Sequence, residues 1–148
     1  MEIRELNEND LESLLELYTQ LDANNETCSV TEAREIWKRI SNIGNIKYIG
    51  AVEDNTVIST CYIVVIPNLT SGGRSIGFIE NVVTDINHRK KGIGKKVIEE
   101  AIRIAKERGC YKVILQSGIK REGAHLFYKK LGFDDTSKKA FDMRIEYK

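Results

Sequence analysis

The chain has 148 residues, of which 41% are apolar and 30% are charged, and its 23 basic side chains nearly balance its 22 acidic ones. This length fits one domain, since domains cluster at about 100–150 residues, and it allows a core without disulfide or metal staples. The composition excludes a disordered chain. A net charge near zero argues against a general binder of nucleic acid or of a membrane surface.

The N-terminus, the cysteines and the histidines are typical of a cytoplasmic protein without a metal centre. The chain begins MEIREL, which has neither the basic nor the apolar region of a secretory signal, and no apolar run approaches the roughly 20 residues of a spanning helix. Cys28, Cys61 and Cys110 are odd in number and widely spaced, so they predict neither a disulfide framework nor a zinc site. With only His88 and His125, we expect no multi-histidine metal site.

Apolar periodicity and turn residues divide the chain into helices and strands, with no linker or repeat between them. In chain order, the sequence predicts strand Glu2–Leu6, a helix capped by Asn7, a helix after Ser29, strands Tyr48–Glu53 and Thr56–Ile66, strand Arg74–Thr84, helix Gly92–Arg108, strand Cys110–Ser117, helix Glu122–Lys130 and strand Ala140–Tyr147. This order predicts an α/β or α+β fold around a mixed, mostly antiparallel sheet. The segment from Arg74 to Ser117 predicts two parallel strands joined by a crossover helix.

Three local patterns support these boundaries. Ser29 and Glu32 have the spacing of a capping box at the start of the second helix. Asp54-Asn55 predicts a tight hairpin turn between two strands. The last segment alternates cleanly, which predicts a strand that pairs within the subunit or with a partner's sheet. Its apolar positions are Phe141, Met143, Ile145 and Tyr147.

The segment between the fourth strand and the third helix predicts an anion site. Unpaired N–H groups at a helix start, together with the helix dipole, favour a negative charge. Gly92 and Gly94 have no Cβ, so the backbone there can approach an anion closely. Positive charge is added by Arg89, Lys90, Lys91, Lys95 and Lys96.

Two standard phosphate motifs do not fit this segment. A P-loop needs GxxxxGK[ST], but Arg89 occupies the first glycine position and Lys96 the Ser or Thr position. A dinucleotide fingerprint needs GxGxxG, but Val97 occupies the third glycine position. The remaining pattern, Arg-x-x-Gly-x-Gly, leaves two readings open on spacing alone: a phosphate site, or a solvated basic helix start.

Two motifs together resemble one enzyme family. The segment Arg89-Lys90-Lys91-Gly92-Ile93-Gly94 resembles the pyrophosphate loop of the GCN5-related N-acetyltransferases (GNAT), Q/R-x-x-G-x-G/A. The segment from His125 to Phe133, HLFYKKLGF, is similar to that family's second signature. Both motifs stand in the family's order and separation. Within the family, residues Gly77–Val83 and Gly109–Lys112 look most like the glucosamine-6-phosphate N-acetyltransferases.

The resemblance implies a GNAT-like sheet with helices on both faces, and a single N-acetyltransferase domain over residues 1–148. It also implies acetyl-CoA as the acetyl donor. The backbone of Val82, Val83 and Thr84 would pair with the pantetheine arm like an added strand, and one N–H there would stabilise the oxyanion. The amides from Arg89 through Lys95 would hold the pyrophosphate. Ser117 stands where the family more often has an Asn that contacts the arm.

Tyr128 matches the family tyrosine that protonates the leaving thiolate. A phenol with a pKa of about 10 is protonated at neutral pH and can donate. Glu80 is the candidate base, since strand alternation places it on the apolar face of Phe78, Val82 and Thr84, and apolar surroundings raise the pKa of a carboxyl group. An orienting role for Glu80 is an equal alternative, and the family's bulge in this strand would change the alternation.

The sequence therefore predicts transfer of acetyl from acetyl-CoA to a primary amine of a small molecule, with an amino-sugar phosphate such as glucosamine 6-phosphate as the first candidate. Other acceptors remain open: an aminoglycoside, a polyamine, an amino acid or a protein. A non-catalytic acyl-CoA sensor is the rival class, because a fold does not by itself establish activity. The family also implies a homodimer. Neither nucleic acid nor a membrane is expected as a partner.

Overall fold

The computed structural model describes residues 1–21 and 26–146. Its strands are β1 (Glu2–Glu5), β2 (Ile46–Glu53), β3 (Thr56–Ile66), β4 (Ser75–Thr84) and β5 (Cys110–Leu115). Its α-helices are α1 (Leu11–Tyr18), α2 (Val30–Ile43), α3 (Ile93–Glu107) and α4 (Glu122–Lys130). The predicted elements up to α4 are therefore confirmed, with shifts of a few residues at their ends.

One five-stranded sheet has the strand order β1-β2-β3-β4-β5. The first four strands pair antiparallel, and β4 pairs parallel with β5, as expected for two strands joined through α3. The β2–β3 turn places Asp54 at φ 48° and Asn55 at φ 61°. Asp and Asn tolerate these left-handed angles well, which explains the tight hairpin at this point.

The two faces of the sheet are covered by different helices. On one face, Leu11, Leu14 and Leu17 of α1 pack in a cluster with Val52 of β2. On the other face, a Cβ placed on Gly77 would lie 3.2 Å from Ile63 and 3.5 Å from Ala105 of α3. The predicted sheet with helices on both faces is confirmed.

Side-chain caps fix the starts of the early helices. Asn7 caps a short 3-10 turn, Glu8–Asp10, which leads directly into α1. Ser29 and Glu32 form the predicted capping box at the start of α2, where the Ser29 side chain accepts from the Glu32 backbone N–H and the Glu32 side chain accepts from Ser29. These reciprocal bonds satisfy backbone donors that a helix start otherwise leaves unpaired.

The predicted last strand is wrong over its described part. Residues 140–146 form no strand, and Phe141, Met143 and Ile145 are 86%, 83% and 76% exposed. Tyr147, the final residue of that prediction, lies outside the described residues. A strand requires a neighbouring strand that supplies backbone hydrogen bonds. Alternation alone gives the segment an apolar face but no such neighbour.

The chain forms two compact units, Met1–Leu115 and Gln116–Lys148. The N-terminal unit contains the sheet with α1, α2 and α3. The C-terminal unit contains α4. Each unit holds one of the two signature motifs.

Candidate active site

A bulge interrupts β4 within the predicted catalytic segment. Glu80 lies opposite Tyr62 of β3, whereas Val83 lies opposite Thr60, and the register shifts between these pairs. Between these two pairs, β4 has two residues, Asn81 and Val82, where β3 has one, Cys61. The extra residue is accommodated by a left-handed φ of 51° at Asn81. The strand is bent and more twisted at this point, as bulges generally cause.

The bulge changes which side chains share a face with Glu80. Tyr62 and Thr60 are two residues apart on β3, so their partners Glu80 and Val83 point to the same side of the sheet. The expectation that Val82 and Thr84 share this side is therefore wrong. Val83 lies in the core cluster of the α1 face, and Glu80 is half-buried on that same face.

Aromatic rings line the sheet beside Glu80. Tyr48 of β2 lies opposite Tyr62 of the adjacent β3, with ring centroids 4.9 Å apart. The ring of Trp37 on α2 lies 5.1 Å from the Tyr48 ring, between centroids. Burial, followed by the nearby Glu80 carboxylate, raises the pKa of Tyr62. Burial likewise raises the pKa of Tyr48 to about 12. A carboxylate beside neutral aromatic rings can accept a proton from, or orient, a bound ammonium group.

The second half of β4 has an open edge. The parallel ladder with β5 runs from Ser75 to Ile79 and leaves residues 80–84 without a β5 partner in the described part of the chain. Unpaired backbone groups at a strand edge are a template for adding another extended chain. Val82, Val83 and Thr84, the predicted contacts of the pantetheine arm, lie on this open stretch.

The turn after β4 leads into the predicted pyrophosphate loop. A 3-10 turn, Ile86–His88, is capped by Asp85, whose side chain accepts from the Asn87 N–H. Arg89 donates from Nε to the Thr84 carbonyl at 2.9 Å, which ties the loop back to the end of the strand. Lys90 then adopts a left-handed φ of 61° and Gly92 one of 76°.

The start of α3 has the features of an anion site. Gly92 provides no side-chain cap, and a Cβ there would meet open space in the described structure. The first turn of α3 carries no acidic residue that would complement the helix dipole. Ile93 is buried, whereas Lys90, Lys91 and Lys95 are exposed around the helix start. Gly94 follows in the first turn. Backbone donors and lysines can therefore meet a phosphate here.

The C-terminal unit holds the second signature. Tyr128 is half-buried on α4, with its ring edge-on to Phe133 at 5.9 Å between centroids. His125 makes a 2.8 Å bond from Nε2 to the Gly118 carbonyl, which gives this histidine a structural role in the turn before α4. The Ser117 Oγ is buried and has no hydrogen-bond partner among the described residues. A buried hydroxyl of this kind can bond to a ligand.

One groove in the N-terminal unit is acidic. It has a volume of about 460 Å³, and Glu12, Glu16 and Asp85 are among its lining residues. Three carboxylates repel phosphate groups, so this groove does not suit a pyrophosphate. Gln20 also lines it, and this residue bonds the turn after β4. Sequence spacing gave no signal for Gln20, because it lies 65 residues from its partner Asp85.

No helix within 1–21 and 26–146 is long and apolar enough to cross a membrane. The same residues contain no group of three or more His, Cys, Asp and Glu side chains that could hold a metal ion.

Comparison with known proteins gives one consistent family. The sequence pattern of the acetyltransferase (GNAT) family matches residues 9–133. A glucosamine 6-phosphate N-acetyltransferase of Trypanosoma brucei brucei is 34% identical over 142 residues, which cover 90% of this chain and 88% of that protein.

Solved structures agree with the sequence match. An acetyltransferase of Trypanosoma brucei superposes with a TM-score of 0.80 at 33% identity and covers 99% of both chains. The glucosamine-6-phosphate N-acetyltransferase of Arabidopsis thaliana superposes with a TM-score of 0.83 at 27% identity and covers 99% of this chain and 98% of that one. GNAT acetyltransferases use acetyl-CoA as the acetyl donor. This chain belongs to the GNAT family and is an acyltransferase.

Proposed function

We propose that this chain, acting as a single N-acetyltransferase domain, transfers acetyl from acetyl-CoA to the primary amine of glucosamine 6-phosphate or a similar amino sugar. The observation that carries the acceptor is the likeness to a glucosamine 6-phosphate N-acetyltransferase over 90% of the chain. The amine attacks the thioester carbon directly, passes through a tetrahedral intermediate and expels the thiolate of CoA.

The N-terminal unit would bind the donor along β4 and the start of α3. The open backbone of Val82, Val83 and Thr84 would pair with the pantetheine arm, and an N–H there would stabilise the oxyanion. The amides from Arg89 to Lys95, namely those of Arg89, Lys90, Lys91, Gly92, Ile93, Gly94 and Lys95, would hold the pyrophosphate. Support comes from the open edge of β4 and from a helix start that has neither a cap nor an acid among the described residues.

Proton transfer would use Glu80 and Tyr128. Glu80 would take a proton from the ammonium group, directly or through water, or would orient the amine. Tyr128 would donate its phenolic proton to the departing thiolate. The second proton, which the nitrogen loses as the amide forms, would reprotonate Tyr128, while the first leaves through Glu80 to water. Ser117 would bond to the pantetheine arm through its buried Oγ. Support for Glu80 comes from its half-buried position beside Tyr62.

A thiol-release assay tests this function. Purified protein is mixed with acetyl-CoA and a panel of amines led by glucosamine 6-phosphate. We expect turnover with the amino-sugar phosphate, and a loss of about 10²–10⁴-fold in kcat for Tyr128→Phe with unchanged CoA affinity. Tyr111→Phe is the matched control, because Tyr111 lies on β5 in contact with Ser71 and Lys112.

The outcomes separate the alternatives. Turnover with a different amine only would keep the chemistry and discard the acceptor. No turnover with any amine, despite tight CoA binding, would contradict activity on small amines and favour a sensor.

We also propose that the chain forms a homodimer and works in the cytoplasm. Phe141, Met143 and Ile145 are exposed in the lone chain, and large exposed apolar side chains favour association. A partner's sheet would supply the missing ladder for residues 140–146. Light scattering should give twice the 16.9 kDa of the chain, and the mass of a single chain would contradict the dimer.

A further inference from the structure

The side chain of Gln20 holds the turn after β4 with two hydrogen bonds. Its Nε2 donates to Asp85 Oδ2 at 2.8 Å, and its Oε1 accepts from the Ile86 N–H at 2.9 Å. The planar amide thus bonds a side chain and a backbone group of consecutive residues. Gln20 follows the end of α1, so these bonds connect the first helix to the turn.

Within the turn, Asp85 is the centre of the remaining bonds. Its Oδ1 accepts from the Asn87 N–H at 3.0 Å and lies 2.7 Å from His88 Nδ1, while its backbone N–H donates to the Ile58 carbonyl at 2.9 Å. His88 Nε2 lies 3.7 Å from Glu53 of the β2–β3 hairpin. The hydrogen bonds from Gln20 and then His88 lower the pKa of Asp85.

The turn determines where the phosphate loop begins. Asp85 is four residues before Arg89, and the Arg89 side chain bonds the Thr84 carbonyl at the end of β4. The loop then passes through the left-handed Lys90 and Gly92 into α3. A tilt of the turn would therefore displace the N–H groups proposed to bind the pyrophosphate, and misplaced donors bind anions weakly.

Charge gives a second reason for the Gln20 bond. A carboxylate close to a phosphate site opposes anion binding unless its oxygens are held by donors. In this structure Gln20 holds Oδ2, while Asn87 and His88 hold Oδ1. Loss of Gln20 would leave Oδ2 free to turn toward the loop.

We propose that Gln20 is a positioning residue for acetyl-CoA: through Asp85 and Ile86 it fixes the turn that sets the pyrophosphate loop. This inference rests on the proposed donor site. It adds to that site a residue just after the end of α1, far from the signature motif in the sequence.

Calorimetric titration with CoA tests the proposal on the full chain. We expect Gln20→Ala to weaken CoA binding about tenfold, the effect of losing one to two hydrogen bonds to a charged or backbone group. Glu16→Gln is the matched control, since Glu16 lines the same groove and is exposed. It should leave the Kd for CoA within about twofold.

Gln20→Glu provides a second variant of nearly the same shape. It keeps the acceptor for the Ile86 N–H but places a carboxylate against Asp85 Oδ2, so CoA binding should weaken more than in Gln20→Ala. Kinetics distinguish a positioning role from a merely structural one, because only the first changes the KM for acetyl-CoA alone. The KM for acetyl-CoA should rise about tenfold, while kcat and the KM for the acceptor stay within about twofold.

Three results would overturn the proposal. The first two are an unchanged CoA affinity in Gln20→Ala and an unchanged CoA affinity in Gln20→Glu. The third is a fall in kcat together with equal rises in the KM values for acetyl-CoA and for the acceptor. CoA binding requires no acceptor, so a wrong acceptor assignment would leave this titration unaffected and the two failures can be distinguished.

Discussion

Two short segments with the same alternating pattern have different structures in this chain. In β5, Tyr111, Val113 and Leu115 are half-buried, while Lys112 and Ile114 between them are exposed. Residues 140–146 alternate as regularly, yet they form no strand and are exposed throughout. The difference is the partner: β5 pairs with β4, whereas residues 140–146 have no ladder in the described chain.

An alternating pattern specifies which side chains share a face of a strand, but a strand also requires a partner for its backbone. Alternation assigns side chains to the two faces of a strand, and β5 buries the face on which Val113 lies near Ala105 of α3. Backbone hydrogen bonds must come from another strand, and the alternating segment does not contain that strand. Matched substitutions in the N-terminal unit and in residues 140–146 test this difference.

The largest contrast is expected for the two ion pairs. Arg4 of β1 bonds both carboxylate oxygens of buried Asp10, at 2.8 and 2.7 Å, whereas Arg144 pairs with Asp142 at 3.1 Å while 92% exposed. Arg4→Ala should cost about 3 kcal/mol in the free energy of unfolding, because it removes the counter-charge of a buried carboxylate that keeps only the hydrogen bond from the Asn7 N–H. Arg144→Ala should leave the urea midpoint unchanged.

The Arg4 pair also predicts a pH dependence. The hydrogen bond from Arg4 lowers the pKa of Asp10 in the folded chain. A lowered pKa contributes stability that is present above the unfolded value, about 3.9, and is lost as the pH falls below it. The difference between wild type and Arg4→Ala in urea unfolding should therefore shrink below about pH 4. A difference that grows on acidification would contradict this assignment.

A smaller contrast is expected within the alternating segments themselves. Val113 lies close to Gly77, where a Cβ would be 3.3 Å from Val113 and 3.5 Å from Ala105. Val113→Asp should destabilise the fold by about 2 kcal/mol, because it places a charge in an apolar layer. Met143→Asp should have no measurable effect on unfolding at protein concentrations where light scattering gives the mass of a single chain. Circular dichroism during urea titration measures both variants, and equal losses would mean that residues 140–146 are packed in solution.

The smallest effects are expected from left-handed backbone positions. Lys90 has φ 61° in the N-terminal unit, and Gly132 has φ 94° in the C-terminal unit. Lys90→Gly should stabilise by about 1 kcal/mol or less, since relief of strain exceeds the added chain entropy. Gly132→Ala should destabilise by about 1 kcal/mol. Thermal melts of both variants check the signs, and a loss of stability in Lys90→Gly would show that Lys90 is not strained.

Much of the fold was predictable because its signals are local. The capping box of Ser29 and Glu32 and the Asp54-Asn55 turn each act within a few residues. The segment from Val82 to Lys95, proposed to bind the acetyl donor, could also be proposed from the sequence. Its binding groups are consecutive along one strand, one turn and one helix start.

The sequence by itself determined the order of the elements, their main boundaries and the family, because local hydrogen bonds, periodicity and contiguous motifs carry that information. Only the tertiary structure decided three other features. The bulge at Asn81 determines which side chains lie beside Glu80. Gln20 bonds Asp85, which is 65 residues away in the sequence. Residues 140–146 pair with no strand in the described chain. Each of these depends on which distant backbone lies alongside, and pairing between distant segments leaves no mark in local spacing.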